Sequence, residues 1–189
     1  MKVDDIYLGN PNLKRANTQS EFTQDQIMEF LRCKANPVYF AKQHVKIVTL
    51  DEGLKGFQPY DFQEGLINNF HQNRFNICKM PRQTGKSTTV ISYLLHYLLF
   101  NDSVNIGILA NKAATARELL GRLQTAYENV PKWMQQGVLS WNRGSLELEN
   151  GSKILAASTS ASAVRGMSFN ILFLDESVSY THLTLPTKA

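Results

Sequence analysis

Apolar and polar positions along this chain follow two regimes, and the change falls near residue 74. Residues 1–20 are polar and carry Asn10, Pro11, Asn12 and Asn17 as breakers, which predicts an irregular arm. Over 23–34, Ile27, Phe30 and Leu31 recur at helical spacing. Pro37 opens a second short helix holding Val38, Tyr39 and Phe40, since proline suits a first helical turn. Residues 45–50 alternate as a strand does. Over 59–70, Phe62, Leu66, Ile67 and Phe70 fall on one helical face.

Beyond that point short apolar runs alternate with helical stretches. Residues 74–80, with Phe75, Ile77 and Cys78, predict a short buried strand, and 81–85 a loop. Residues 86–100 predict a helix that is apolar nearly all round and therefore buried. The near-continuous apolar run 104–110 suits a parallel strand covered on both faces. Residues 111–130 predict an amphipathic helix, with Ala113, Ala116, Leu119, Leu120, Leu123 and Tyr127 in step and Pro131 after it. Short strands follow over 138–141, 145–149 and 152–157, the last two joined by the hairpin signal Asn150-Gly151. A buried strand over 169–174 closes the pattern. Strands alternating with helices predict an α/β domain with a largely parallel sheet. The stretch 177–189, SVSYTHLTLPTKA, is polar and completes no fold unit; it resembles translated adapter read-through. We expect it to be non-native and the chain to be truncated there.

Composition narrows the class. Hydrophobic residues at 43% and charged residues at 19% of 189 are those of a globular domain large enough for a real core. The net charge of +4 is compatible with a nucleic-acid partner without demanding one. The longest apolar run, 90–100, is broken by Ser92, Tyr93 and His96 and is shorter than the roughly 20 residues a bilayer span needs, so no membrane partner is expected. There is no signal-peptide pattern. The two cysteines, Cys33 and Cys78, are far apart and in no metal-ligand spacing. Cys78, inside an apolar run, reads as a buried free thiol, and a reducing compartment suits the pair.

The chemistry concentrates in Met80-Pro-Arg-Gln-Thr-Gly-Lys-Ser87. This is a Walker A phosphate loop, GxxxxGK[ST], with Met80 in place of the first glycine. A strand leading in and a helix leading out would aim backbone N–H groups and the helix dipole at an anion. Gly85 permits close backbone approach, Lys86 supplies a point charge between the β- and γ-phosphates, and Ser87 offers a hydroxyl to Mg²⁺. Pro81, Arg82, Gln83, Thr84 and Thr88 complete the loop around ATP. Asn170-Ile-Leu-Phe-Leu-Asp175-Glu176 is an apolar strand ending in two carboxylates, the Walker B pattern. There Asp175 would hold Mg²⁺ and Glu176 would orient or deprotonate the attacking water. A chance GKS turn or an acidic pair closing a core strand is common singly; the two in order point to an ATP-hydrolysing P-loop enzyme. Arg82, inside the loop, is a candidate for stabilising transition-state charge. Arg165 has two readings, an arginine finger reaching a neighbouring subunit or a loop-fixing arginine. Gln63, beside Tyr60 and Phe62, could pair with the adenine edge, though a solvated helix glutamine is the simpler reading.

Taken together, YLGNPNLKRAN, PVYFAKQH, YDFQ, MPRQTGKST, NIGILANKAATARELL, GSLELENGSKILAASTSASAVRGMSF and ILFLDE resemble the large terminases of T4-like phages, from about Tyr7 to Glu176. That resemblance implies a RecA-like (ASCE) P-loop NTPase, with a mostly parallel central sheet flanked by helices and cut off after the Walker B strand. Its division would be an arm and helical lead-in over 1–50 and an ATPase core over 51–176. It implies an ATP- and Mg²⁺-dependent motor that drives double-stranded DNA into a prohead in the host cytoplasm. Its partners would be a portal protein, a small terminase subunit and further copies of itself in a ring. By the same resemblance Gln63 is the adenine-recognising glutamine with Phe62 beside the base, Arg82 the loop arginine, Arg165 a trans-acting finger and Glu176 the catalytic carboxylate. The family's nuclease half has no counterpart in this sequence. The alternatives are a helicase-type nucleic-acid-dependent ATPase, opposed by the Met80 replacement and the Arg82-Gln83 pair, and a nucleotide-binding module without turnover. Lys112, Arg117 and Arg122 could line a DNA path or simply form a solvated helix face.

Overall fold

The computed structural model describes residues 5–49, 51–159 and 166–175. The arm is more ordered than its polarity suggests. β1 (Ile6–Tyr7) and β2 (Asn10–Lys14) form a small antiparallel hairpin turning at Leu8 and Gly9, both at positive φ (45° and 78°). Leu13 is buried, and the buried Gln135 amide ties the arm down by accepting from Lys14 N–H and donating to Asn12 O. Of the breaker residues, Asn10, Pro11 and Asn12 lie within β2, and Asn17 takes a left-handed φ of 62° just beyond it.

α1 (Gln24–Ala35) begins with a capping box in which the Thr23 hydroxyl and the Gln26 side chain serve each other's backbone N–H. Asn36 serves two helices: its N–H closes α1 on Arg32 O and Cys33 O, and its side chain caps α2 (Pro37–His44) by accepting from Tyr39 N–H. The inward residues of α1 are Phe30 and Cys33, whereas Ile27 and Leu31 are exposed. β3 (Lys46–Thr49) pairs with β4 (Gly53–Gly56), and α3 (Asp61–Gln72) follows, burying Ile67 and leaving Phe62 outside.

α4 (Lys86–Phe100) is buried along its length by Ile91, Leu94, Leu95, Leu98 and Leu99. Each such side chain contributes about 1.5–3 kcal/mol. It packs with α5 (Ala113–Glu128), whose Ala116, Leu119, Leu120, Leu123 and Tyr127 face in as their spacing predicts. The sheet comprises β5 (Asn105–Ala110), β6 (Val138–Trp141), β7 (Ser145–Leu148), β8 (Lys153–Ser158) and β9 (Ile171–Leu174), in the order β6-β7-β8-β5-β9. β5 lies parallel to β8 and β9, but the β7 pairings with β6 and β8 are antiparallel. The sheet is thus mixed but mostly parallel in direction: β6, β8, β5 and β9 run the same way and β7 runs against them, reversed at tight connections such as Asn150-Gly151 (Gly151 φ 78°). Leu13, Cys33, Phe40 and Val45 share one apolar core with α4, α5 and the sheet.

One predicted strand is absent. Residues 74–80 belong to no strand, and Phe75 and Ile77 stand 75% and 92% exposed. Cys78 is likewise exposed, not the buried thiol expected. A strand is stable only when its N–H and C=O groups meet a neighbour, and none of the sheet pairings among the described residues involves this stretch.

Candidate active site

The entry to α4 is built by one glycine. Gly85 is its N-cap, at φ 75°, and no side chain caps the helix. The first-turn N–H groups have no partner within the helix and point outward, where the dipole favours an anion. The loop before it is tightly turned. Gln83 also takes a left-handed φ of 62°, and the Thr84 hydroxyl donates to Pro81 O at 3.0 Å. The Lys86 ammonium donates to Met80 O at 3.1 Å and to Pro81 O, folding back over its own loop. Ser87 and Thr88 are half-buried in the first helical turn, while Pro81, Arg82 and Gln83 are exposed. Thr89, which the sequence pattern did not single out, is fully buried and ties Gly85 O through both its N–H and its hydroxyl.

Gln63 corrects the reading of a solvated glutamine. It is 4% exposed on the inner face of α3, and both ends of its amide are used. Oε1 accepts from Tyr60 N–H at 2.9 Å, and Nε2 donates to Thr84 O at 3.3 Å. A Cβ on Gly85 would lie 2.5 Å from that Nε2. Gln63 therefore holds α3 against the loop, and only a glycine leaves room for it at position 85. Phe62 and Tyr60 form an exposed parallel stack, ring centroids 5.8 Å apart, next to Gln63 in sequence.

Asp175 sits just past the C-terminal end of β9, its N–H donating to Leu109 O at 2.8 Å. Around it a polar hollow is lined by Ala110, Asn111, Lys112 and Thr115, from the end of β5 and the start of α5. Strand ends of this kind are where α/β sheets hold ligands. Asn111 and Thr115 were not among the sequence candidates; the available signal was the strand-to-helix junction, with Asn111 directly after β5 and Thr115 in the first turn of α5. No residue of the 80–88 loop lines that hollow. Glu176 and Arg165 lie outside the described residues.

The donor set suits a bound polyphosphate. It combines an uncapped helix start, a glycine that admits close approach, a lysine at the next position and a hydroxyl after that. A solved structure, the HK97 bacteriophage large terminase, matches 77% of this chain at 19% identity and a TM-score of 0.63, which establishes the shared fold. This chain spans 31% of the length of that protein. A family model described as terminase large subunit, T4likevirus-type, N-terminal, matches residues 77–184, a range that contains both the loop and Asp175. With more than half of its residues in that match, the chain belongs to the T4-like terminase large subunit family and represents its N-terminal part.

Proposed function

We propose that this chain is the ATP-hydrolysing motor domain of a large terminase, which drives double-stranded DNA into a prohead in the host cytoplasm. The observation that carries the proposal is the Gly85-Lys86-Ser87 start of the buried helix α4, clamped to α3 by Gln63, in a chain of the terminase family. ATP binding would exchange the two Lys86 bonds to Met80 O and Pro81 O for bonds to phosphate oxygens. The exposed Arg82 would meet the same phosphates. Ser87 and Asp175 would hold Mg²⁺, which when bound neutralises phosphate charge. Glu176 would take a proton from, or orient, the attacking water. Arg165 would act on a neighbouring copy's nucleotide in a ring. The Tyr60–Phe62 stack offers an aromatic face for the adenine. Portal protein, small terminase subunit and double-stranded DNA are the proposed partners, by family membership.

ATP binding and turnover with Mg²⁺, measured beside Lys86→Ala and Glu176→Gln, test this. The wild type should hydrolyse ATP, and Lys86→Ala should lose binding. Glu176→Gln should bind ATP while turning over on the order of 100-fold more slowly, the usual loss for a removed general base. A folded wild-type chain that binds no ATP overturns the proposal.

A further inference from the structure

We propose that Glu29, Cys33 and His44 form a binding site for a divalent cation of borderline softness, zinc(II) before others, which staples α1 to α2. This is independent of the ATP site. Glu29 and Cys33 lie four residues apart on one face of α1, and His44 ends α2. One ligand atom from each lies within 4.8 Å of the other two. Glu29 Oε1 faces the site, 2.9 Å from His44 Nε2 and 3.6 Å from Cys33 Sγ. Zinc takes oxygen, nitrogen and sulfur at about 2.0–2.3 Å, so tetrahedral donors stand roughly 3.3–3.8 Å apart. Small side-chain movements satisfy that, because the helices are already fixed around the triad. Cys33 is fully buried, and its backbone carbonyl accepts from His96 Nε2 at 2.9 Å. The His44 ring lies edge-on to Trp133, with Phe40 close by, in a partly apolar wall.

The other carboxylate oxygen, Oε2, accepts from the Tyr39 hydroxyl at 3.1 Å and lies 3.8 Å from the exposed Arg32 guanidinium. This arrangement holds the carboxylate in place, with Arg32 on the oxygen that does not face Cys33 and His44. Three protein ligands leave a fourth position for water. Mixed oxygen, nitrogen and thiolate ligation favours zinc over magnesium or calcium, which prefer oxygen alone. Binding replaces the Cys33 S–H bond by a sulfur–metal bond, and the proton passes to solvent.

Titration of the whole chain with cobalt(II), then displacement by zinc(II), tests the site. One equivalent should give a thiolate-to-cobalt charge-transfer band, together with a change in Trp133 fluorescence. The band should persist in Cys78→Ser, where Cys33 is the only thiol left. It should vanish in Cys33→Ser, and His44→Gln should weaken binding at least tenfold. If Cys33→Ser fails to fold, the Cys78→Ser protein still decides the matter. Absence of the band there, or a band in wild type that Cys78→Ser removes, overturns the proposal.

Discussion

At the residue scale the site turns on one contact, that of Gln63 with the loop at Thr84 and Gly85. Gly85→Ala puts a Cβ at φ 75°, a cost of about 1 kcal/mol, and sets it 2.5 Å from Gln63 Nε2. The expected result is a loss of roughly 1–2 kcal/mol in urea unfolding and weakened nucleotide binding. Gln63→Ala removes two hydrogen bonds of a buried amide and should cost about 1–3 kcal/mol. The two effects should not add. With Gln63 truncated the clash at Gly85 disappears, so the double variant should be more stable than the sum predicts by at least about 0.5 kcal/mol. Strict additivity would show that the clamp does not exist. Gly85, Lys86 and Ser87 were legible in the sequence because a motif fixes their types at fixed spacing. The clamp was not. Gln63 reaches a backbone carbonyl 21 residues away, and a carbonyl carries no sequence signature. The Glu29–Cys33–His44 triad was hidden for a related reason: the cysteines stand in no metal-ligand spacing, and the third group of the triad comes from another helix.

At the element scale, α4 is joined to α1 through a buried histidine. His96, on α4, hydrogen-bonds Cys33 O on α1 and is packed by Phe40 and Phe100. Burial, aided by the facing His71, pushes its pKa down to about 4, although the Cys33 carbonyl opposes this. Tyr93, stacked on the His96 ring, is held neutral by burial, with a pKa of about 12. His96 is therefore neutral in the folded state, while the unfolded chain takes up a proton near pH 6.5. Its contribution is fully present above that pH. It falls as the pH drops from about 6.5 to about 4 and is then spent, a total of about 3 kcal/mol. Urea unfolding with chelator present should show this fall between pH 7 and pH 4, and His96→Leu should flatten it. An equal slope in both proteins would contradict the assignment. The helices themselves were readable, because α4 and α5 carry long periodic patterns that burial alone explains. Residues 74–80 were not, since an apolar run reads the same whether or not a neighbouring strand is there to pair with it.

At the scale of the whole molecule the same stretch has a consequence. Phe75 and Ile77 are almost wholly exposed, with Leu172 47% exposed on β9. β9 pairs with β5 on one side, and among the described residues nothing pairs with its other edge. An open strand edge and exposed large apolar side chains are the two surface features that most readily draw copies of a chain together. This chain should therefore self-associate in a concentration-dependent way, as the open sheet edge alone already suggests. Sedimentation velocity across a range of micromolar concentrations measures it. Replacing Phe75 and Ile77 together by lysine should shift the distribution toward monomer without lowering the unfolding midpoint, because neither side chain is part of the core. If association persists unchanged, pairing through β9 is its source, and Leu172→Lys should then reduce it. A chain that sediments as a monomer at every concentration would show that these exposed groups do not associate, and that folding alone is enough to keep them apart.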